Sequence, residues 1–196
     1  MNIGSPIGAV LLPLASIALA GCAATAEPGA PSAAVADDAD RSDAERLALA
    51  LADADDAFAR KDKVRLADAL RRFDALGGKP LDAADPELGR WRAAVNQSSP
   101  MRGRSLGPGY RSGKLSAGRS EELEQVFLSG TRASVALSAP SGVRLRLEVQ
   151  DRGEAAVCGK EGNPNHCQWV PLFTDRYRIR IVNPGRTEVR YFLVVG

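Results

Sequence analysis

Residues 143–150 read VRLRLEVQ. Val143, Leu145, Leu147 and Val149 alternate with Arg144, Arg146, Glu148 and Gln150. Successive side chains of a strand point to opposite faces, so strict alternation predicts a strand with one face in a core and one in water. The same period recurs downstream. Tyr177, Ile179 and Ile181 alternate with Arg176, Arg178 and Arg180, and Val189, Tyr191, Leu193 and Val195 make a last strand. Earlier strands are expected over 121–129 and 131–139, with weaker runs at 110–115, 154–158 and 168–173. Ser129-Gly130, Pro140-Ser141-Gly142 and Asn183-Pro184-Gly185 punctuate them. Seven or eight short strands with such turns predict an antiparallel β-sandwich over residues 110–196.

Upstream the period changes. Ser42-Asp43-Ala44-Glu45 has the form of a helix capping box, and Leu47, Leu51, Ala54 and Phe58 follow at helical spacing. Asp62 is placed to cap a second helix carrying Leu66, Leu70, Phe73 and Leu76, which Gly77-Gly78 ends. Asp85-Pro86 opens a third, short helix with Leu88, Trp91 and Val95 on one face. The predicted class is therefore α+β and segregated. A helical hairpin plus one helix (41–98) is followed by a linker rich in Ser, Gly and Pro (99–109) and the sandwich (110–196). A helical segment this small makes a thin core, and Trp91 is placed to lean on the strands. Asp53, Asp55 and Asp56 are expected on a solvent face.

Charge is unevenly placed. Residues 1–100 carry 11 Lys/Arg against 15 Asp/Glu, and residues 101–196 carry 15 against 9. An acidic front and a basic back imply two different surfaces.

Residues 1–21 carry no charge, and the apolar stretch from Ile7 to Ala20 is broken by Pro13. It is shorter than the roughly 20 apolar residues of a membrane span and has the form of a signal peptide (1–22). Leu19-Ala20-Gly21-Cys22 resembles the lipobox of bacterial lipoproteins. That resemblance implies lipidation at Cys22 and an anchor in the membrane. Ala23, in the position of the sorting residue, implies the outer membrane, facing the periplasm or the surface. Met1 to Gly8 lacks the Lys or Arg usual in such signals. Ordinary cleavage after Ala24-Thr25-Ala26, giving a soluble secreted chain, is the alternative. Residues 23–40, rich in Ala, Pro, Ser and Asp, read as a disordered tether.

Export decides how CGKEGNPNHC (158–167) is read. Disulfides persist in oxidising compartments, and lipidation of Cys22 leaves Cys158 and Cys167 as the one possible pair. A loop this short gives a staple worth roughly 2–3 kcal/mol in the chain-entropy model. A zinc site needs three or four ligands, and this segment has one histidine beside one cysteine. His166 is expected on a loop or at the surface. No metal site and no cofactor is expected.

The order of features from residue 110 onward resembles the bacterial pre-peptidase C-terminal domain. The features are Tyr110 to Leu115, Glu124 to Leu128, Thr131 to Ser138, Leu145 to Asp151, and the closing pair Tyr177 to Ile181 and Tyr191 to Val195. The resemblance covers about 85 residues and implies a non-catalytic β-sandwich that aids secretion, folding or surface binding. Arg144 and Arg146 stand where that family commonly has acidic residues, so calcium binding is not implied here.

The chain lacks GxSxG, HExxH, Walker and GxGxxG patterns, and its one histidine leaves few catalytic constellations. No catalytic residue is assigned. Arg144, Arg146, Arg176, Arg178, Arg180 and Arg190 all occupy strand positions opposite apolar ones. On neighbouring strands they would make one basic face able to bind anionic glycan or lipopolysaccharide, since arginine pairs bidentately with phosphate and carboxylate. A solvated face cross-paired with Glu148 and Glu188 is the plainer reading. Export and the lack of interleaved exposed aromatics argue against nucleic acid. The expected function is a non-catalytic envelope lipoprotein that binds or scaffolds. One alternative is an adaptor that docks an envelope protein on its helices, with the sandwich as support. Another is a cryptic hydrolase, for which Ser112 with Lys114 is the formal candidate.

Overall fold

The computed structural model describes residues 40–82, 85–98 and 107–196. Three helices come first: α1 (Asp43–Ala59), α2 (Lys63–Leu76) and α3 (Pro86–Ala94). The two-residue strand β1 (Lys79–Pro80) lies between α2 and α3. Eight strands follow: β2 (Gly109–Leu115), β3 (Ser120–Phe127), β4 (Ala133–Ser138), β5 (Leu145–Gln150), β6 (Ala156–Gly162), β7 (Asn165–Trp169), β8 (Asp175–Val182) and β9 (Val189–Val195).

The helix ends follow the capping rules read from the sequence. Ser42 Oγ accepts from the Glu45 amide at 3.2 Å, Asp62 from Arg65 at 3.0 Å and Asp85 from Glu87 at 2.9 Å. Gly77 closes α2 at φ 65°, a left-handed conformation that costs glycine nothing.

The strands form two sheets, β1-β2-β9-β4-β7 and β3-β8-β5-β6. Every pairing among β2 to β9 is antiparallel, and β1 joins β2 in parallel. Between the sheets lie Leu145, Leu147, Val149, Ile179, Ile181, Val135, Leu137, Tyr191 and Leu193, the inward halves of the alternating strands. Gly113 faces Tyr191 across the β2–β9 pair; a Cβ at Gly113 would sit 2.6 Å from the Tyr191 hydroxyl.

β9 is apolar on both faces because both are covered. Tyr191 and Leu193 face the other sheet, whereas Phe192 and Val194 join Leu47, Leu51, Leu70, Phe73 and Trp91 in a second core beneath the helices. Ala136 on β4 belongs to the same second core. Trp91 is fully buried with its ring 6.1 Å from Phe192, and Phe73 meets Tyr110 edge-on at 5.5 Å. The molecule is thus three layers, helices on sheet on sheet. The apolar stripe of the hairpin is consumed inside the chain.

The weak run expected at 168–173 is a strand only as far as Trp169, and β7 begins earlier, at Asn165. Val170, Leu172 and Phe173 lie in the connection to β8 and are exposed.

Candidate functional site

The outer face of the β3-β8-β5-β6 sheet brings together five of the six expected arginines: Arg146, Arg176, Arg178 and Arg180 on its strands, and Arg144 immediately before β5. Their strands are neighbours, so they are brought together. Arg190 is not among them. It lies on β9 in the other sheet, where it meets Asp55 of α1 at 3.4 Å and Glu87 of α3 at 3.7 Å. Alternation along a strand fixes the face of a side chain but not the sheet its strand joins.

Each of the five arginines meets a carboxylate. Arg176 pairs with Glu124 at 2.9 Å, and Arg180 reaches Glu122 and Glu148, each at 3.4 Å. Arg146 pairs with Glu161 at 3.2 Å, Arg144 approaches the same Glu161 at 3.8 Å, and Arg178 reaches Glu154 at 3.6 Å. The register explains the mesh: Glu122 stands opposite Arg180 and Glu124 opposite Arg178 on β3–β8, and Glu148 stands opposite Arg180 on β5–β8. Such pairs contribute a few tenths of a kcal/mol each. The face is a charge checkerboard rather than a basic patch.

Cys158 and Cys167 are joined, with Cα atoms 6.0 Å apart. Cys158 is on β6 and Cys167 on β7, so the bridge ties one sheet to the other where the chain crosses between them. His166 is half-buried on β7, with Nδ1 3.6 Å from Glu45 of α1. Glu45 also meets Arg41 at 3.5 Å.

Asp53 lies on the half-exposed face expected of it, paired with Arg65 at 3.1 Å and Arg72 at 2.9 Å, but Asp55 and Asp56 do not lie in solvent. Asp56 is buried, accepts from the Ser141 hydroxyl at 2.9 Å and pairs with Arg60 at 3.1 Å. Asp55 faces Arg190. Burial, the largest cause, raises the Asp55 carboxyl above the usual aspartate range, against the pull of Arg190. Burial, with Asp85 nearby, pushes the Tyr110 phenol far above its usual value. Burial, with Glu121, does the same to Tyr191. Both tyrosines are therefore neutral packing groups at physiological pH. Ser112 donates to Asp85 at 3.2 Å while Lys114 pairs with Glu188 at 3.8 Å, so the two are engaged with different partners. Among the described residues no group of three His, Cys, Asp or Glu is placed to hold a metal ion, and no helix is long and apolar enough to cross a membrane. Cys22, with the signal and the tether, lies outside the described residues.

The feature that sequence reasoning missed is at one end of the sandwich. The β3–β4 loop (128–132) and the β7–β8 loop (170–174) meet there. Leu128 is 60% exposed, Val170 56%, Leu172 82% and Phe173 77%. These side chains sit on a rigid base. The Ser129 amide donates to Thr174 Oγ1 at 3.0 Å, the Ser129 hydroxyl to the Leu172 carbonyl at 2.7 Å and the Gly130 amide to the Pro171 carbonyl at 2.9 Å. Beneath the loops, Phe127, Trp169 and Tyr177 form an aromatic cluster with centroids 4.8 to 5.6 Å apart. A groove of about 620 Å³ runs beside the tip, lined by Leu81, Val126, Leu128 and Arg132 and by Ser42, where the chain enters α1. The only sequence signal was the run Val170-Pro171-Leu172-Phe173, apolar yet interrupted by a proline that a central strand would not hold.

No protein-family model matches the sequence, and no curated protein matches it. Among solved structures, the chain is similar to the periplasmic g-type lysozyme inhibitor of Aeromonas hydrophila, at 15% identity over 45% of this chain and 84% of that one, with a TM-score of 0.37. It is also similar to the pre-peptidase C-terminal domain of a Bacillus anthracis collagenase, at 13% identity over 44% of this chain and 87% of that one, with a TM-score of 0.38. Likenesses this distant carry no function across, and the β-sandwich rests on the strand pairing above.

Proposed function

We propose that this chain is an exported, lipid-anchored, non-catalytic module of the cell envelope that works by binding through the loop end of its sandwich. The observation that carries this reading is where the exposed apolar surface lies. Leu128, Val170, Leu172 and Phe173 gather on two loops stapled together by hydrogen bonds. Exposed apolar groups gathered in one place mark an interaction site, whereas scattered ones do not. The groups with chemical potential are committed elsewhere: the two sandwich cysteines to each other, His166 to Glu45, and Asp55 and Asp56 to arginines. The arginine face has its charge met by glutamates, and the helices have spent their apolar stripe on the sheet.

Metabolic labelling with a palmitate analogue tests the anchored part of this reading. Label on the full chain that disappears in Cys22→Ser is the expected result. A labelled-free mature chain in the culture fluid would instead make it a soluble secreted protein.

A further inference from the structure

We infer that the apolar tip is a membrane-contact element, which inserts Leu172 and Phe173 into the interfacial layer of the bilayer that holds the anchor. The inference rests on the anchored reading above and adds how the sandwich stands on that bilayer.

The position of the chain's N-terminal side selects the occupant. Ser42 lines the same groove as Leu128, Thr131 and Arg132, so the chain leaves the fold at the end that bears the tip. Cys22 precedes Ser42 by 20 positions. Twenty residues span at most roughly 70 Å. A lipid at Cys22 is therefore joined to the fold at the end that bears the tip, rather than at the far end with its 116–119 and 183–188 loops.

The chemistry of the tip agrees. Leu172 and Phe173, both on the β7–β8 loop, are the most exposed of its apolar side chains. Four apolar side chains fall far short of the roughly 20 to 30 residues a side of a standard protein interface. They do suit shallow insertion, which is weak alone and becomes stable when joined to a second membrane signal such as an acyl anchor. Arg132 and Arg152 flank the tip, are exposed and have no ion pair among the described residues, so they are available to lipid phosphates. Of the acids at this end, Glu124 pairs with Arg176, Glu154 with Arg178 and Asp43 with Arg46, while Asp151 and Asp175, beside Arg152, accept from the Ala155 and Arg176 amides.

The test is co-sedimentation of the mature chain without acyl groups. A chain beginning at Ala23 keeps every described contact, since these all lie within residues 40–196. The probes are vesicles of phosphatidylethanolamine with phosphatidylglycerol, and vesicles of phosphatidylcholine. Leu172→Asp with Phe173→Asp is expected to lower partitioning on both by about tenfold or more. Arg132→Ser and Arg152→Ser are expected to lower it by about fivefold each, on the anionic vesicles alone. Val64→Asp, at an equally exposed apolar side chain on α2, is expected to change nothing. Unchanged thermal midpoints show that the variants fold. Equal sedimentation of wild type and the double-Asp variant would overturn the inference. So would failure of the wild type to bind vesicles while a tip cross-linker captures an envelope protein. Because the assay uses no acyl chain, its failure is separate from failure of Cys22 to take label.

Discussion

Ser129 and Leu172, 43 positions apart, are joined by a hydrogen bond of 2.7 Å from the Ser129 hydroxyl to the Leu172 carbonyl. This bond holds one loop of the tip to the other. Without it, the β7–β8 loop would depend on the Ser129 amide bond to Thr174 and the Gly130 bond to Pro171. Ser129→Ala should remove about 1 kcal/mol locally. Hydrogen exchange at the Gly130 amide should quicken by about fivefold, with little change in the global midpoint. Unchanged exchange would mean that the two backbone-donated bonds, to Thr174 and to Pro171, hold the loops together without the Ser129 hydroxyl.

The Cys158–Cys167 bridge ties β6 of one sheet to β7 of the other. Replacing both cysteines by serine should lower stability by roughly 2–4 kcal/mol, measured by urea unfolding. A reducing agent should reproduce this in the wild type and have no effect on the variant.

Trp91 is fully buried against Phe192 and belongs to a core that helices and sheet share. Trp91→Ala should therefore cost about 3–5 kcal/mol. Helical circular dichroism and the tertiary signal of the strands should fall in one transition, because the helices have no separate core to retain. Two separated transitions would contradict the shared core.

Asp55 predicts a pH effect whose sign is opposite to that of a typical paired carboxylate. Its pKa is raised in the folded chain, chiefly by burial. Between the ordinary aspartate value and the raised one, the folded state holds more protons than the unfolded state. Its contribution to stability therefore falls as pH rises through that window and stays low above it. Asp55→Asn should raise the melting temperature at neutral pH, and the gain should vanish as pH drops below the ordinary aspartate value. Arg190 keeps Glu87 as a partner in that variant. A variant less stable than wild type at neutral pH would show that the Arg190 attraction outweighs burial.

The sandwich was legible because period-2 alternation is written directly into residues such as Leu145, Leu147, Ile179 and Ile181. The helix starts were legible because capping is a short-range matter of Ser42, Asp62 and Asp85. Three things were not. Arg190 was grouped with the other arginines because alternation gives a face without naming the sheet. Asp55 and Asp56 were placed in solvent because helical spacing alone does not reveal that β9 and the Pro140–Gly142 turn pack against that side of α1. The tip was hidden because Val170, Leu172 and Phe173 have the composition of a strand. Only the pairing of β4 with β7, which ends at Trp169, shows them unpaired. Phe192 and Val194 did carry a signal: an apolar run on both strand faces means that both are covered.

Site-specific photo-cross-linking in intact cells sets the two surfaces against each other most directly. A photoreactive residue is placed at Leu172 on the tip in one strain and at Arg180 on the charged face in another, both in the full chain. The expected result is phospholipid adducts from position 172 and none from position 180, with fewer adducts in Cys22→Ser. Adducts to an envelope polysaccharide or lipopolysaccharide from position 180, with none from position 172, would contradict the assignment and return binding to the arginine face.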